Sequence, residues 1–202
     1  LLPSYLEQKH SSLVYMIDDF IKTSCFDDSK FYLNNYSELY DTLKKVNNSK
    51  VILFGVSFAL LDFIEKYNIV KSDLIIVETG GMKGRKKEIS RDELYKKLKA
   101  GYGTKNIHSE YGMTELFSQA YSKEKGLFKN PPWMKTFVRD INNPLAVNNY
   151  GKGAINIIDL ANEHSIAFIA TDDVGQVFEN ETYTISGRLN ESEIRGCNQM
   201  FS

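Results

Sequence analysis

The segment Tyr111-Gly112-Met113-Thr114-Glu115 places a hydroxyl and a carboxylate side by side after a tight glycine turn. A hydroxyl such as that of Thr114 can bind a phosphate oxygen. A carboxylate such as that of Glu115 can hold Mg²⁺, a hard cation that prefers oxygen ligands. The structural alternative is that Thr114 caps a helix over residues 115–122. The spacing alone leaves both interpretations open.

A second candidate is the glycine-bearing stretch over residues 80–84, which follows the apolar run at 74–77. Gly80 and Gly81 would let the backbone approach a flat ring closely, and loops after parallel strands are where open α/β sheets bind ligands. The glycine spacing differs from the dinucleotide fingerprint, and no Gly-Lys-Ser/Thr ending marks a phosphate loop. A plain turn is the alternative.

The segment at 171–175, Thr-Asp-Asp-Val-Gly, directly follows an apolar strand run. A carboxylate at such a position can accept hydrogen bonds from both vicinal hydroxyls of a ribose. The alternative is a hairpin turn, since Asp-Asp-x-Gly is common turn chemistry.

The last candidate segment covers residues 187–197. Arg188 follows a strand run, where it would either reach a ribose or phosphate or form a surface salt bridge. Cys197 lies beside Arg195, whose guanidinium would raise the thiolate fraction of the thiol. An inert cysteine is the alternative for such a position near a terminus.

The elements that must position these residues follow from hydrophobic periodicity. Short apolar runs at 51–54 and 74–77 predict strands buried on both faces, and a third strand precedes the glycine turn at 112. Helices are predicted over 11–22, from Ser37, over 57–67, and from the capping box Ser90-Arg91-Asp92-Glu93 to Gly101. Alternating strands and helices predict an α/β fold with a largely parallel sheet and flanking helices.

After residue 130 the pattern changes to short β runs at 135–140, 153–158, 166–171 and 182–186. Their spacing predicts a mostly antiparallel β region. The sequence therefore predicts an α/β nucleotide-binding portion over 1–130, followed by a β-rich portion over 131–202 that completes the ligand site.

Composition restricts the partners and the compartment. The 202 residues carry a net charge of −1, so no basic face indicates a nucleic-acid partner. No stretch approaches the roughly 18 consecutive apolar residues of a membrane span. Two cysteines make a disulfide framework improbable, which predicts a cytoplasmic location.

The order of the four segments resembles that of the adenylate-forming superfamily, which includes acyl-CoA synthetases and phenylacetate-CoA ligase. The runs His-Ser-Glu-Tyr-Gly-Met-Thr-Glu (108–115) and Ser-Glu-Ile-Arg-Gly-Cys-Asn-Gln-Met (192–200) are most similar to the acyl-protein synthetases (LuxE-type, long-chain fatty acid protein ligases). The resemblance covers roughly residues 50–202. It implies an ATP-dependent enzyme that activates a carboxylic acid, here a fatty acid, as an acyl-adenylate and transfers the acyl group to a thiol.

The resemblance also implies roles for individual residues. Gly80 and Gly81 would flank the adenine with Tyr111 near the base, and Gly112 would form the turn that follows. Thr114 would contact phosphate and Glu115 would bind Mg²⁺. Asp173 would hold the ribose hydroxyls with help from Arg188, and Cys197 would carry the acyl group. The residues with these implied roles are Gly80, Gly81, Tyr111, Gly112, Thr114, Glu115, Asp173, Arg188 and Cys197.

The sequence also departs from the superfamily pattern. No glycine precedes Gly55, so the upstream phosphate loop is missing, as is the lysine of the mobile C-terminal domain. We therefore expect the chain to be the C-terminal part of a longer enzyme, with weak or no ATP turnover by itself. An acyl-CoA ligase similar to the phenylacetate enzyme and a non-catalytic nucleotide-binding domain are the alternatives. An acyl-acceptor or reductase protein is the expected type of partner.

Overall fold

The computed structural model describes residues 1–2, 11–47, 49–80, 89–123 and 126–189. These residues form two compact units. The first contains the described residues up to Thr114 together with Lys123, and the second contains Glu115–Ser122 and the described residues from Gly126 onward.

The first unit contains four helices and three strands among its described residues. The helices are α1 (Ser12–Ser24), α2 (Tyr36–Lys45), α3 (Ser57–Lys66) and α4 (Arg91–Tyr102), and the strands are β1 (Ile52–Val56), β2 (Ile75–Thr79) and β3 (Ile107–Tyr111). The predicted N-cap of α4 is present, because the Ser90 hydroxyl accepts a 3.2 Å hydrogen bond from the Glu93 amide. This bond satisfies an N–H group that has no partner within the helix.

The three strands of the first unit form a parallel sheet in the order β1-β2-β3. Apolar side chains of β2 and β3 and of helices α3 and α4 build the core of this unit. Its fully buried members include Phe63, Leu74, Ile76, Leu98 and Ile107. The parallel pairing brings the carboxyl ends of the strands to one edge of the sheet. At this edge β1 leads into helix α3, β2 into Gly80, and β3 into Gly112.

The second unit is an antiparallel sheet. Its strands are β4 (Ala120–Ser122), β5 (Phe128–Lys129), β6 (Met134–Arg139), β7 (Val147–Asn148), β8 (Gly151–Asp159), β9 (Phe168–Val177) and β10 (Tyr183–Arg188), in the order β4-β5-β10-β9-β8-β6-β7. Phe128, Ile155, Ile157 and Tyr183 are among its fully buried residues.

The predicted fold class is confirmed: helices flank a parallel sheet, and an antiparallel β region follows. Two local alternatives are wrong. Residues 115–122 form turns and strand β4 rather than a helix capped by Thr114, and residues 171–175 lie inside the long strand β9 rather than in a hairpin turn. In the described part of the chain, no helix combines the length and the apolar character that crossing a bilayer requires.

Candidate functional site

The glycine segment begins where β2 ends. Gly80 follows Thr79 with a φ of 69°, a left-handed backbone conformation that glycine adopts without steric cost. Its carbonyl accepts a 2.8 Å hydrogen bond from the hydroxyl of Ser57, the first residue of α3. Gly81 lies outside the described residues.

Tyr111 is the last residue of β3, the strand that pairs with β2. Its side chain is half-buried. Neighbouring parallel strands end at the same edge of the sheet. Tyr111, at the end of β3, and Gly80, just after the end of β2, therefore both lie at that edge. Among the described residues of the first unit, the structure thus places two predicted site residues, Gly80 and Tyr111, at the same edge of the sheet.

Gly112, Thr114 and Glu115 are exposed to solvent. The backbone of Glu115 is nevertheless held, because its carbonyl accepts a 2.9 Å hydrogen bond from the side-chain amide of Asn162. Asn162 is itself buried, and the next residue, Leu116, is also buried. The Glu115 carboxylate is therefore accessible while the chain that carries it is anchored.

Asp159, at the end of β8, fixes the same loop and was not identified from sequence. Its carboxylate is fully buried and accepts hydrogen bonds from the amides of Phe117 (3.0 Å) and Ser118 (2.9 Å) and from the Ser118 hydroxyl (2.7 Å). The Ala161 amide donates to it at 3.1 Å. Trp133 extends the cluster by donating from its indole N–H to the Ser118 hydroxyl at 2.8 Å.

Asp173 and Arg188 lie on neighbouring antiparallel strands in direct register. The Arg188 Nε lies 3.3 Å from Asp173 Oδ1, and the Asp173 side chain is 13% exposed while that of Arg188 is 70% exposed. An ion pair with so exposed a guanidinium adds little stability. The arrangement instead presents a carboxylate with a neighbouring cation, which is suited to a ligand that carries hydroxyls and phosphate.

Two further carboxyls lie in β2 and β3. Burial raises the pKa of the Glu78 carboxyl, while its hydrogen bonds with the Ser57 and Ser109 hydroxyls and the charge of Arg91 lower it in part. Burial also raises the pKa of Glu110; a hydrogen bond from Thr79 lowers it and the charge of Glu78 raises it. Sequence reasoning missed these residues, although Glu78 directly follows the apolar run at 74–77, where a buried acidic residue is unusual.

The described residues contain no group of three or more His, Cys, Asp or Glu side chains that could hold a metal ion by themselves. Mg²⁺ is commonly bound by one or two carboxylates together with substrate phosphates, so the exposed Glu115 fits that role in its chemistry. Cys197 lies outside the described residues, and its predicted role stays a prediction.

The chain matches no family model. No curated protein matches it by sequence. Its fold is similar to that of ATP-bound MatB from Rhodopseudomonas palustris, with a TM-score of 0.59 and 15% identity over 78% of this chain and 34% of that chain.

Two further solved structures show the same likeness. A benzoate CoA ligase from Burkholderia xenovorans LB400 has a TM-score of 0.51 and 19% identity over 76% of this chain and 34% of that chain. Coronafacic acid ligase from Pectobacterium brasiliense has a TM-score of 0.53 and 18% identity over 76% of this chain and 32% of that chain. The chain thus spans about a third of the length of these ligases, and it shares their fold over that part.

Proposed function

We propose that this chain is part of an ATP-dependent ligase that activates a carboxylic acid as an acyl-adenylate and transfers the acyl group to a thiol. The observation that carries the proposal is the occurrence of four motifs, in the order of adenylate-forming enzymes, on a fold similar to that of ATP-bound MatB and two named acid ligases. The acid is a fatty acid if the similarity to acyl-protein synthetases extends to the substrate.

The reaction has two balanced steps. In the first, a carboxylate oxygen of the acid attacks the α-phosphorus of ATP, the bond to the β-phosphate oxygen breaks, and pyrophosphate leaves. In the second, a thiol sulfur attacks the acyl carbon, the thiol proton is lost, and AMP leaves as the thioester forms. Mg²⁺, when bound, would neutralise phosphate charge during the first step.

Asp173 is proposed to hold the ribose, because a half-buried carboxylate can accept hydrogen bonds from both vicinal hydroxyls. Arg188 is proposed to orient that carboxylate and to contact the nucleotide. Their direct register across β9 and β10 supports the pairing.

The roles of the other residues follow the same resemblance. Gly80, Gly81 and Tyr111 are proposed to contact the adenine, Gly112 to form the turn that presents the next side chains, and Thr114 to bind a phosphate oxygen. Glu115 is proposed as the Mg²⁺ carboxylate. Anchoring of the Glu115 carbonyl by Asn162 supports this role, because a fixed backbone limits the positions that the carboxylate can take.

Isothermal calorimetry with AMP, ATP and a non-hydrolysable acyl-adenylate analogue tests the proposal. We expect the wild-type chain to bind the acyl-adenylate analogue more tightly than AMP. Asp173→Ala should weaken this binding by about 100-fold or more, since it removes two charge-assisted hydrogen bonds worth roughly 1.5–3 kcal/mol each.

Asp172→Ala is the matched control. It removes the same charge from the adjacent residue, whose side chain is exposed and points to the opposite face of the strand. Equal losses in the two variants would contradict the role of Asp173. Adenosine binding without any preference for the acyl group would instead favour a non-catalytic nucleotide-binding domain.

The thiol acceptor is the second proposed feature. In the acyl-protein synthetase interpretation Cys197 takes the acyl group and passes it to an acceptor or reductase protein, whereas a CoA ligase would leave this thiol unmodified. The name of the benzoate CoA ligase among the structural neighbours favours the second candidate. Mass spectrometry after incubation with an acyl-adenylate distinguishes them, with the exposed Cys25 as an internal control for non-specific acylation.

A further inference from the structure

The buried carboxyl group of Glu78 connects three elements of the first unit. Glu78 belongs to β2 and is 6% exposed. Its Oε1 contacts the hydroxyl of Ser57 at the start of α3, and its Oε2 accepts a 2.7 Å hydrogen bond from the hydroxyl of Ser109 in β3. Water has little access to this group, so its protonation state is set by these neighbours.

The Ser57 hydroxyl has two oxygen neighbours and only one proton. It lies 2.8 Å from the carbonyl oxygen of Gly80 and also contacts Glu78 Oε1. A carbonyl oxygen can only accept, so the contact with Gly80 is a hydrogen bond only when Ser57 donates its proton there. The contact between Ser57 and Glu78 is then a hydrogen bond only if Glu78 carries a proton and donates it.

The second oxygen of Glu78 has a consistent set of donors. The Ser109 hydroxyl donates to it, and Ser109 in turn has the Tyr95 hydroxyl at 2.7 Å and Arg91 Nη1, which donates to it at 3.1 Å. Tyr95 therefore donates to Ser109. A single proton on Glu78 is consistent with each of these hydrogen bonds among the described residues.

Burial of Glu78 favours the same state, because it raises the pKa of the carboxyl. The neighbouring carboxyl, Glu110 in β3, has its own pKa raised by burial and by the charge of Glu78. The guanidinium of Arg91 on α4, which donates to the Ser109 hydroxyl, acts in the opposite direction on Glu78. The groups that face Glu78 from α3 and β3 are otherwise neutral hydroxyls.

We propose that Glu78 is protonated at neutral pH and, through Ser57, holds the backbone carbonyl of Gly80 in a fixed position. Glu78 is then a positioning residue for the glycine turn, and its relevance to a ligand rests on the proposed contact between that turn and adenine. Ionisation of Glu78 would turn the Ser57 proton back to the carboxylate and release the Gly80 carbonyl.

Two variants of Glu78 test the hydrogen-bond arrangement. Glu78→Gln keeps a donor toward Ser57 and an acceptor toward Ser109 at every pH, whereas Glu78→Ala removes both. Ser57→Ala removes the bond to Gly80 together with the acceptor for the Glu78 proton. Thr104→Val is the matched control, because the Thr104 hydroxyl donates at 2.7 Å to the Leu74 carbonyl just before the opposite end of β2.

Nuclear magnetic resonance gives a readout that does not depend on nucleotide binding. The carboxyl carbon of Glu78, assigned by its loss in Glu78→Gln, should show the protonated form at neutral pH and titrate only at higher pH. The carbonyl carbon of Gly80 should shift with the same midpoint in the wild type and not at all in Glu78→Gln. An ionised Glu78 at neutral pH, or a Gly80 signal unaffected by its titration, would overturn the proposal.

Calorimetry with AMP then tests the consequence for the ligand. Wild-type affinity should fall as the pH rises through the Glu78 titration, while Glu78→Gln should keep its affinity over the same range. Ser57→Ala and Glu78→Ala should each bind AMP about 10-fold more weakly, with Thr104→Val unchanged. Absence of AMP binding in the wild type, with the resonance results as expected, would refute the proposed nucleotide site and not the Glu78 arrangement. Equal AMP affinity in Ser57→Ala and wild type would refute the positioning role.

Discussion

Replacement of Asp159 provides a direct measure of how strongly the loop after Glu115 is held. In Asp159→Ala, the amides of Phe117, Ser118 and Ala161 and the Ser118 hydroxyl lose their acceptor. The two bonds from Ser118 are buried, and those from Phe117 and Ala161 are partly buried. Each unsatisfied buried donor costs about 1–3 kcal/mol, and partial relaxation or entry of water would reduce the sum. We therefore expect Asp159→Ala to lower the free energy of unfolding of the second unit by about 4 kcal/mol, at the upper end for single substitutions.

Asp159→Asn is expected to have a smaller effect. One amide oxygen can still accept from the Phe117 and Ser118 amides, while the new NH₂ group stands where the Ser118 hydroxyl and the Ala161 amide had their acceptor. The Ser118 hydroxyl can turn to accept from the NH₂ group, so the loss of the Ala161 bond and of the charge on the acceptor corresponds to about 2 kcal/mol.

The single tryptophan makes the measurement specific, because Trp133 donates to the Ser118 hydroxyl, which contacts Asp159. Urea unfolding followed by Trp133 fluorescence reports the cluster itself, and circular dichroism reports the whole chain. Asp140→Asn is the control: Asp140 accepts from two loop amides beyond the other end of β6, but it is exposed, so water can replace it. If Asp159→Ala changed the free energy of unfolding by less than about 0.5 kcal/mol, the buried-acceptor reasoning would be refuted.

Two further predictions concern other positions. A Cβ atom at Gly175 would lie 1.9 Å from the Thr184 carbonyl oxygen, so Gly175→Ala should separate β9 from β10. We expect it to lower the free energy of unfolding in urea by about 3 kcal/mol. Gly187→Ala is the control, because open space surrounds its Cβ position, and it should change stability by less than about 0.5 kcal/mol. Because burial raises the folded-state pKa of Glu110, its stabilising contribution is complete at acidic pH and is lost as the pH rises through that pKa. Glu110→Gln should therefore gain stability relative to wild type between mildly acidic and mildly alkaline pH in urea titrations; a constant difference would contradict the pKa shift.

The sequence by itself was sufficient to predict features that depend on residues adjacent in the chain. Short β runs predicted strands β1 to β3, β6 and β8 to β10, but not the short strands β4, β5 and β7. The capping box at Ser90 predicted the start of α4. Both signals are local, because each lies within a few consecutive residues of the sequence. The change from a parallel to an antiparallel arrangement was likewise readable from the loss of helical periodicity. The roles of Gly81 and Cys197 depend on the sequence resemblance alone and stay predictions.

Only the tertiary structure identified the residues that hold the candidate site. Asp159 contacts Phe117 across 42 positions in the chain, and Glu78 contacts Ser109 across 31 positions. No local pattern carries these pairings, because they exist only after separate strands have been brought side by side. The conformation around Asp173 was decided in the same way. Turn chemistry offered a hairpin as the alternative for this segment, but pairing of β9 with β8 and β10 keeps it extended and places Arg188 beside Asp173.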